Sequence, residues 1–176
     1  MIYNKEQIDL YLKKMEYNDE IKIDYETLCK LQIAHLTHIP YENIDVLNRK
    51  PISLESQDLF DKMIVKARGG YCFELNGLYS NFLKSLGFNV TNLAGRFIYQ
   101  DGNTRMRLHR ILKIDIDDKS YISDVGVLSE LSRKSLELEV GKVQNDGKCD
   151  YKFEYNPKQE GEYILYQRKP KKDWKQ

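Results

Sequence analysis

The hydrophobic pattern of the chain changes at Gly87, and this change limits the folds that are open to it. Before Gly87, apolar residues recur with helical spacing, whereas after it short extended runs are separated by turn residues. Helices followed by a set of strands are typical of an α+β fold. The sequence therefore predicts two domains: a helical bundle over residues 1–86, and an antiparallel β-barrel or sandwich over residues 87–176.

Four amphipathic segments of the first half predict helices. They cover residues 8–15, 25–36, 53–66 and 73–86. Asp24 and Thr27 are expected to cap the second helix, and Pro40 ends it because the residue before a proline avoids the helical region. Ser53 is the expected N-cap of the third helix. The fourth helix is expected to end at Gly87.

The second half is expected to form short strands. The extended segments are residues 88–94, 96–99, 108–116, 121–125, 136–140, 151–155 and 163–168, with a turn at 101–103. Residues 117–120 join two of these segments and predict a hairpin with a four-residue connection.

Charge and cysteine content exclude several classes of protein. Lys and Arg together number 28 against 27 Asp and Glu, so net charge gives no reason to expect a nucleic-acid or membrane partner. The first residues lack the apolar core of a secretory signal, and no apolar run approaches membrane-spanning length. Cys29, Cys72 and Cys149 are widely spaced, which fits neither a disulfide framework nor a metal site. We expect a cytoplasmic, metal-free protein.

A turn before the fourth predicted helix contains a candidate nucleophile. The sequence Arg-Gly-Gly-Tyr-Cys at residues 68–72 contains two glycines, which reach positive φ at little cost and permit a tight turn. Cys72 then falls in the first turn of the helix, where unpaired N–H groups and the helix dipole favour a thiolate. The alternative is that Cys72 is a small buried core residue.

A base for this cysteine must come from three histidines. His35 and His38 lie at the end of the second helix, where we expect them to place positive charge near its C-terminus or to cap its carbonyls. His109 starts a predicted strand, and Asp124 lies on the strand that returns beside it. The spacing indicates a Cys72, His109 and Asp124 triad. The alternative is a satisfied core histidine with a surface aspartate.

Three separate motifs resemble those of arylamine N-acetyltransferases. Residues 68–76 (Arg-Gly-Gly-Tyr-Cys-Phe-Glu-Leu-Asn) are similar to the nucleophile motif of that family. Residues 38–45 resemble its Ile-Pro-Phe-Glu-Asn segment, with tyrosine at position 41. His109 and the Asp-Val-Gly run at 124–126 match its histidine and its Asp-Val-Gly or Asp-Ala-Gly signature. The resemblance extends from the first helix through Trp174.

The resemblance implies a fold and a reaction. It implies a helical domain followed by an antiparallel β-barrel around a cysteine-protease-like Cys-His-Asp core, and we expect the family's third, α/β lid domain to be absent. It implies ping-pong acetyl transfer from acetyl-CoA, a substrate and not a tightly bound cofactor, to an aromatic amine or hydrazine. Cys72 would attack the thioester, His109 would activate the thiol, and Asp124 would orient the imidazole. Backbone N–H groups at residues 70–72 are expected to hold the oxyanion.

The residues around the triad receive more detailed expectations. The expected substrate-binding residues are Tyr41, Tyr71, Leu108 and Val127, and the expected acetyl-CoA-binding residues are Arg105, Met106 and Gly126. Val127 stands where many relatives carry phenylalanine, so a stacking surface is lost. Arg105 and Arg107 are interpreted either as contacts to coenzyme A phosphates or as exposed strand charges. Arg68 and Glu74 are expected to be structural partners.

Two alternative functions stay open. One is other acyl chemistry on the same triad, either amide synthesis or thioester hydrolysis. The other is a non-catalytic module that binds coenzyme A or another ligand. Exposed barrel surface also makes self-association an expectation.

Overall fold

The structure is a computed structural model that describes residues 3–98, 105–127 and 132–175. Within these ranges the helices all precede the strands. The helices are α1 (Lys5–Lys14), α2 (Tyr25–His38), α3 (Ile44–Leu47), α4 (Ser56–Phe60) and α5 (Cys72–Leu86), and a π-helical turn (Asp61–Val65) continues α4. The strands are β1 (Asn89–Gly95), β2 (His109–Ile116), β3 (Lys119–Ser123), β4 (Leu136–Glu137), β5 (Gln144–Asn145), β6 (Asp150–Tyr155) and β7 (Tyr163–Arg168).

Capping explains where the long helices begin and end. The Asp24 carboxylate accepts a hydrogen bond of 2.8 Å from the Thr27 N–H at the start of α2, as the sequence predicted. Helix α5 ends at Gly87, whose φ of +102° suits a glycine C-cap. The prediction of Ser53 as the cap of the third helix is wrong. Its hydroxyl bonds Asp58 at 2.5 Å, and α4 begins only at Ser56.

The strands form two antiparallel sheets, with orders β1-β2-β3-β4 and β5-β6-β7. The α+β class with antiparallel strands is therefore confirmed, whereas the predicted closed barrel is wrong for the described residues. The reason is strand length. A barrel needs a continuous ladder of tilted strands, but β4 pairs with β3 through only two residues, and β5 is also two residues long.

The hairpin of β2 and β3 sets the position of Asp124. Ile116 pairs with Lys119, so the connection contains two residues and not the predicted four. Asp117 supplies the positive φ, +53°, that such a short connection favours. Leu112 pairs with Ser123 at the other end of the ladder, and Asp124 therefore leaves the sheet beside the start of β2. Of the predicted strand at 96–99, residues 96–98 are not in a strand; Tyr99 and the predicted turn at 101–103 lie outside the described residues.

One hydrophobic cluster joins the helices to the first sheet. On the helical side the rings of Tyr11 and Phe82 stack with centroids 4.0 Å apart. Leu112 and Ile114 of β2 belong to the same cluster. Helix α5 packs on both parts and is fixed in place at the junction. A division of the chain at residue 86 stays a prediction.

A second, smaller cluster lies between the two sheets. Its buried members are Ile122, Leu136, Cys149, Tyr151 and Phe153. In the part of the chain that the structure describes, none of the helices combines the length and apolarity needed to cross a membrane.

Candidate active site

The loop before α5 lies tightly against the segment that follows α2. The Gly70 N–H donates to the Pro40 carbonyl at 3.3 Å, and the Glu42 N–H donates to the Gly70 carbonyl at 2.9 Å. A Cβ on Gly69 would lie 2.3 Å from the Pro40 oxygen. The expectation of positive φ at this glycine pair is wrong, since neither residue adopts it. Glycine is required here because two backbones approach closely.

Arg68 ties this loop to the same segment through charge. Its guanidinium pairs with the Glu42 carboxylate and, at 2.9 Å, with Asp45. Glu42 also accepts a hydrogen bond of 3.1 Å from the Gly69 N–H. Hydrogen bonds from Arg68 and then Lys62 lower the pKa of Asp45 to about 2. Arg68 therefore has the structural role that the sequence indicated.

Glu74 fixes the entry to the helix. Its side chain is buried, pairs with the Lys62 ammonium at 2.7 Å and accepts a hydrogen bond of 3.1 Å from the Tyr71 N–H. Lys62 also reaches Asp45 at 3.1 Å, so one ammonium joins two carboxylates. Cys72, the next residue after Tyr71, is the first residue of α5. The backbone at Cys72 is therefore held by the contacts of Arg68 before it and of Glu74 after it.

His109 and Asp124 form a buried pair at the edge of the first sheet. His109 begins β2, and its Nε2 lies 2.5 Å from Oδ2 of Asp124. Both residues are 6% exposed. Burial lowers the pKa of His109, but the hydrogen bond to Asp124 and the proximity of Cys72 outweigh this effect and raise the pKa to about 9. The imidazole is therefore positively charged at neutral pH.

The Cys72 thiol lies against the residue that precedes this histidine. Sγ donates a weak hydrogen bond to the Leu108 carbonyl, with a sulfur–oxygen distance of 3.8 Å. Nδ1 of His109 is buried and has no hydrogen-bond partner among the residues that the structure describes. Among the described residues, Nδ1 of His109 therefore has no hydrogen-bond partner and lies beside the Cys72 thiol, whereas Nε2 is bound to the Asp124 carboxylate. The structure brings the three predicted triad residues together.

Asn76 holds the other oxygen of Asp124, a contact that the sequence analysis missed. Its amide donates to Oδ1 of Asp124 at 2.8 Å, and the Gly126 N–H donates to the same oxygen at 2.8 Å. Asn76 lies four residues after Cys72, a spacing that puts both on one face of a helix. That spacing was the available signal, but nothing in the sequence pointed to Asp124 as the partner.

Gly126 packs directly against the nucleophile. A Cβ at this position would lie 2.8 Å from the Cys72 Cα and 2.6 Å from the Asn76 amide nitrogen. Any larger residue would push the loop after β3 away from α5. The binding of acetyl-CoA by Gly126 stays a prediction.

Most of the chain matches a known protein family. A model of the N-acetyltransferase family matches residues 24–176. The chain belongs to this family. This chain is similar to the arylamine N-acetyltransferase / N-hydroxyarylamine O-acetyltransferase of Salmonella typhimurium, with 37% identity over 150 residues. The matched region covers 85% of this chain and 52% of the relative. The chain thus spans about half the length of this curated relative.

Solved structures show the same fold over almost the whole chain. The arylamine N-acetyltransferase of Salmonella typhimurium superposes with a TM-score of 0.88 and 32% identity, covering 98% of this chain and 62% of that one. The enzyme of Mycobacterium marinum in complex with CoA superposes with a TM-score of 0.86 and 29% identity, covering 95% and 62% respectively. These N-acetyltransferases share the fold that the described residues adopt.

Two of the predicted substrate-binding residues line a cleft. Tyr41 and Val127 border a cavity of about 500 Å³ together with Val125. The cleft also has a charged part, and the charged residues that line it are Arg133, Lys148, Lys169 and the buried Asp146. Burial and then the charge of Cys72 raise the pKa of Tyr41, which indicates that this ring lies close to the thiol.

Tyr71 and Leu108 also lie beside the thiol. The Tyr71 ring is 5.6 Å from that of Phe73, and burial followed by the charge of Cys72 raises the pKa of the Tyr71 hydroxyl. Leu108 contacts the thiol through its carbonyl, whereas 63% of the residue is exposed. Tyr41, Tyr71 and Leu108 therefore lie near Cys72, and Val127 lines the cleft with Tyr41.

The predicted coenzyme A contacts are more scattered. Met106 is 74% exposed, and the Arg105 carbonyl accepts a hydrogen bond of 3.2 Å from Arg96. Arg107 donates to the Glu162 carboxylate at 3.1 Å, so its charge is already paired.

Phe97 is a further neighbour that the sequence analysis missed. Its ring centroid lies 5.2 Å from that of His109, and about half of the residue is exposed. No pattern marked it, because it fell within a segment predicted to be a strand. An exposed aromatic ring therefore borders the imidazole.

The other two histidines have separate surroundings. His35 is fully buried, and its Nδ1 shares a hydrogen bond of 2.8 Å with the Tyr11 hydroxyl. Burial lowers the pKa of His35 to about 3, so the expectation of a positive charge is wrong for this residue. His38 does cap its helix, donating from Nδ1 to the Ala34 carbonyl at 2.9 Å. The described ranges contain no cluster of side chains suited to a metal ion.

Proposed function

We propose that this N-acetyltransferase family member transfers an acetyl group from acetyl-CoA, through an acetyl-Cys72 intermediate, to an aromatic amine or hydrazine. The observation that carries the proposal is the buried His109–Asp124 pair beside a cysteine at the start of α5. The names of the relatives and the CoA complex of the Mycobacterium marinum enzyme support the choice of substrates. Catalytic roles for Cys72, His109 and Asp124 are part of this proposal.

The first half-reaction forms the acetyl-enzyme. With its proton held by Nδ1 of His109, the Cys72 thiolate attacks the thioester carbonyl carbon. The carbon–sulfur bond to coenzyme A breaks as the new bond to Sγ forms. The departing coenzyme A thiolate takes the proton from the imidazolium. Asp124 keeps the ring oriented through Nε2.

The second half-reaction returns the enzyme to its starting state. The acceptor nitrogen attacks the carbonyl carbon of acetyl-Cys72, and neutral His109 removes the extra proton from that nitrogen. The bond to Sγ then breaks, which releases the N-acetylated product and regenerates the thiolate–imidazolium pair. One histidine therefore serves as acid in the first half and as base in the second.

The oxyanion is assigned to fewer backbone groups than the sequence indicated. The Gly70 and Tyr71 N–H groups already donate to Pro40 and Glu74. The Cys72 N–H, the first of α5, lacks an acceptor within the helix, as the first N–H groups of any α-helix do. We assign the developing negative charge to this end of the helix.

The surrounding residues divide between the two substrates. We assign the acceptor to the side of Tyr41, Tyr71, Leu108 and Val127, and acetyl-CoA to the side of Arg105, Met106 and the Gly126 backbone. A cytoplasmic location, which the three free cysteines support, and self-association are also proposed.

The test is to follow Cys72 directly by intact-mass spectrometry during incubation with acetyl-CoA. The wild type is expected to gain one acetyl group and release coenzyme A, and then to lose the group when an arylamine is added. Cys72→Ala is expected to gain none. Cys29→Ala is the matched control, because it removes another buried thiol and should acetylate normally.

Other outcomes select the alternatives. Loss of the adduct to water at the same rate with or without amine indicates a thioester hydrolase. Absence of both adduct and free coenzyme A contradicts every enzymatic reading and favours a non-catalytic binding module.

A further inference from the structure

We infer that Asn76 is the positioning residue that holds Asp124, and through it His109, in register with Cys72. This inference rests on the proposed function, because it assigns Asn76 a role in the same reaction. Asn76 is fully buried. It does not face the cleft, so it acts through the residues that it binds and not on a substrate.

Three hydrogen bonds connect the Asn76 amide to both halves of the candidate site. Nδ2 donates to the Arg110 carbonyl at 2.6 Å and to Oδ1 of Asp124 at 2.8 Å. Oδ1 of Asn76 accepts from the Val125 N–H at 3.0 Å. Arg110 follows His109 in β2, and Asn76 itself lies one helical turn from Cys72. A single amide thus bonds directly to Asp124 and to the residue after His109, from a position one helical turn after Cys72.

The chemistry of these partners fixes the amide orientation and the residue type. Two acceptors face the Asn76 nitrogen, whereas one donor, the Val125 N–H, faces its oxygen. An aspartate of the same shape would place an oxygen against the Arg110 carbonyl and the Asp124 carboxylate. Only an amide of this length satisfies all three partners.

The bond to Asp124 controls which carboxylate oxygen meets the imidazole. Oδ1 accepts from Asn76 and from the Gly126 N–H, and Oδ2 accepts from Nε2 of His109. With both oxygens held, the carboxylate cannot rotate about its terminal bond. Loss of the Asn76 donor leaves Oδ1 with one bond and frees that rotation, which weakens the hold on the His109 ring.

The close contact with Gly126 independently supports a tight coupling. The 2.6 Å between the Asn76 nitrogen and a Cβ built on Gly126 leaves no room for a side chain between α5 and the loop after β3. The amide therefore lies in a fixed contact between two elements. A displacement on the order of 1 Å in such a site costs about 100-fold in rate.

The experiment compares Asn76→Ala with Ser80→Ala in the full chain. Ser80 is also fully buried on α5, so its variant controls for loss of a buried polar group on that helix. Two readouts are needed: the rate of acetyl-Cys72 formation, and the His109 titration followed by NMR of the imidazole. Asn76→Ala is expected to slow acetylation about 100-fold and to lower the pKa of His109, while Ser80→Ala changes neither.

The Asp124→Asn background tests whether Asn76 acts through Asp124. In that background Asn76→Ala is expected to produce no further shift in the His109 titration, because the contact that it controls is already lost. If Asn76→Ala does not fold, Asn76→Asp replaces it. The aspartate keeps the side-chain volume, and the same loss of rate is expected.

The inference is overturned if the folded Asn76 variant acetylates at the wild-type rate, or if the pKa of His109 is unchanged or raised. Failure of the proposed function is distinguishable. If wild-type Cys72 is never acetylated, the proposed function fails, and the His109 titration, which needs no substrate, still decides the role of Asn76.

Discussion

Two buried histidines in this molecule have opposite electrostatic states. His35 lies in the helical core, bonded to the Tyr11 hydroxyl, and burial lowers its pKa to about 3. His109 lies where α5 meets the first sheet, and Asp124 with Cys72 overcomes burial to raise its pKa to about 9. The comparison shows that burial alone does not determine the charge of a histidine. In His109, a carboxylate at 2.5 Å favours the charged ring despite burial.

The largest expected effect comes from removing that carboxylate. Asp124→Asn should slow acetylation of Cys72 by about 10³- to 10⁴-fold, by analogy with loss of the aspartate in serine triads. The His109 pKa should fall, since burial would then act without an opposing charge. Stopped-flow acetylation and imidazole NMR measure the two effects. A rate within tenfold of wild type would contradict the assigned role of Asp124.

The second prediction tests how closely Gly126 packs against Cys72 and Asn76. Gly126→Ala should lower the acetylation rate about 100-fold and the free energy of unfolding by about 1–3 kcal/mol, because the new methyl group overlaps Cys72 and Asn76. Gly95→Ala is the matched control. Its Cβ would come no closer than 3.8 Å to His109. Denaturant unfolding and acetylation rates are the measurements, and equal effects at the two glycines would refute the prediction.

The two histidines should also make stability depend on pH in opposite directions. His109, with a raised pKa, stabilises the fold fully below about pH 6.5, and this stability is lost as pH rises to about 9. His35, with a lowered pKa, stabilises the fold above about pH 6.5, and this is lost as pH falls towards 3.

Each group contributes a slope of up to about 1.4 kcal/mol per pH unit in its window. Urea unfolding at several pH values should show the alkaline slope flatten in His109→Asn and the acid slope decrease in His35→Asn. The reverse assignment, or no change in either slope, would show that the two histidines do not differ as described.

The smallest expected effect comes from the helical core. Tyr11→Phe removes the hydrogen bond to His35 and should cost about 1–3 kcal/mol in the free energy of unfolding, the usual penalty for a buried unsatisfied group. Acetylation of the folded variant should be unchanged, because His35 lies in the core and not at the junction. A tenfold loss of rate would mean that the two regions are coupled.

The candidate site could be predicted from sequence where local chemistry defines it. Cys72 follows two glycines and begins a helix, and His109 and Asp124 flank a hairpin, so their residue types and spacing were informative. Asn76 was not recognised, because its partners depend on how α5 docks on the sheet. The charge state of His35 was predicted wrongly because its burial also depends on how the helices pack together. Helical spacing shows which face a residue occupies, but not how deeply that face is buried.

The fold shows the same limit. The change of pattern at Gly87 identified helices before strands, and the cap at Asp24 was correct. The closed barrel was wrong because β4 and β5 are only two residues long, and strand length depends on pairing with distant segments. At Gly69 the sequence could show that glycine was needed, but not that a neighbouring backbone was the cause.

The shared hydrophobic cluster has a consequence for how the protein responds to its substrates. Helix α5 provides the thiol and β2 the imidazole, and both elements are anchored in that one cluster. A molecule that binds between them therefore stabilises the packing of the helices on the sheet. Occupancy at the thiol should slow the opening of the entire core, including buried positions around Tyr11 and Phe82 that no substrate contacts.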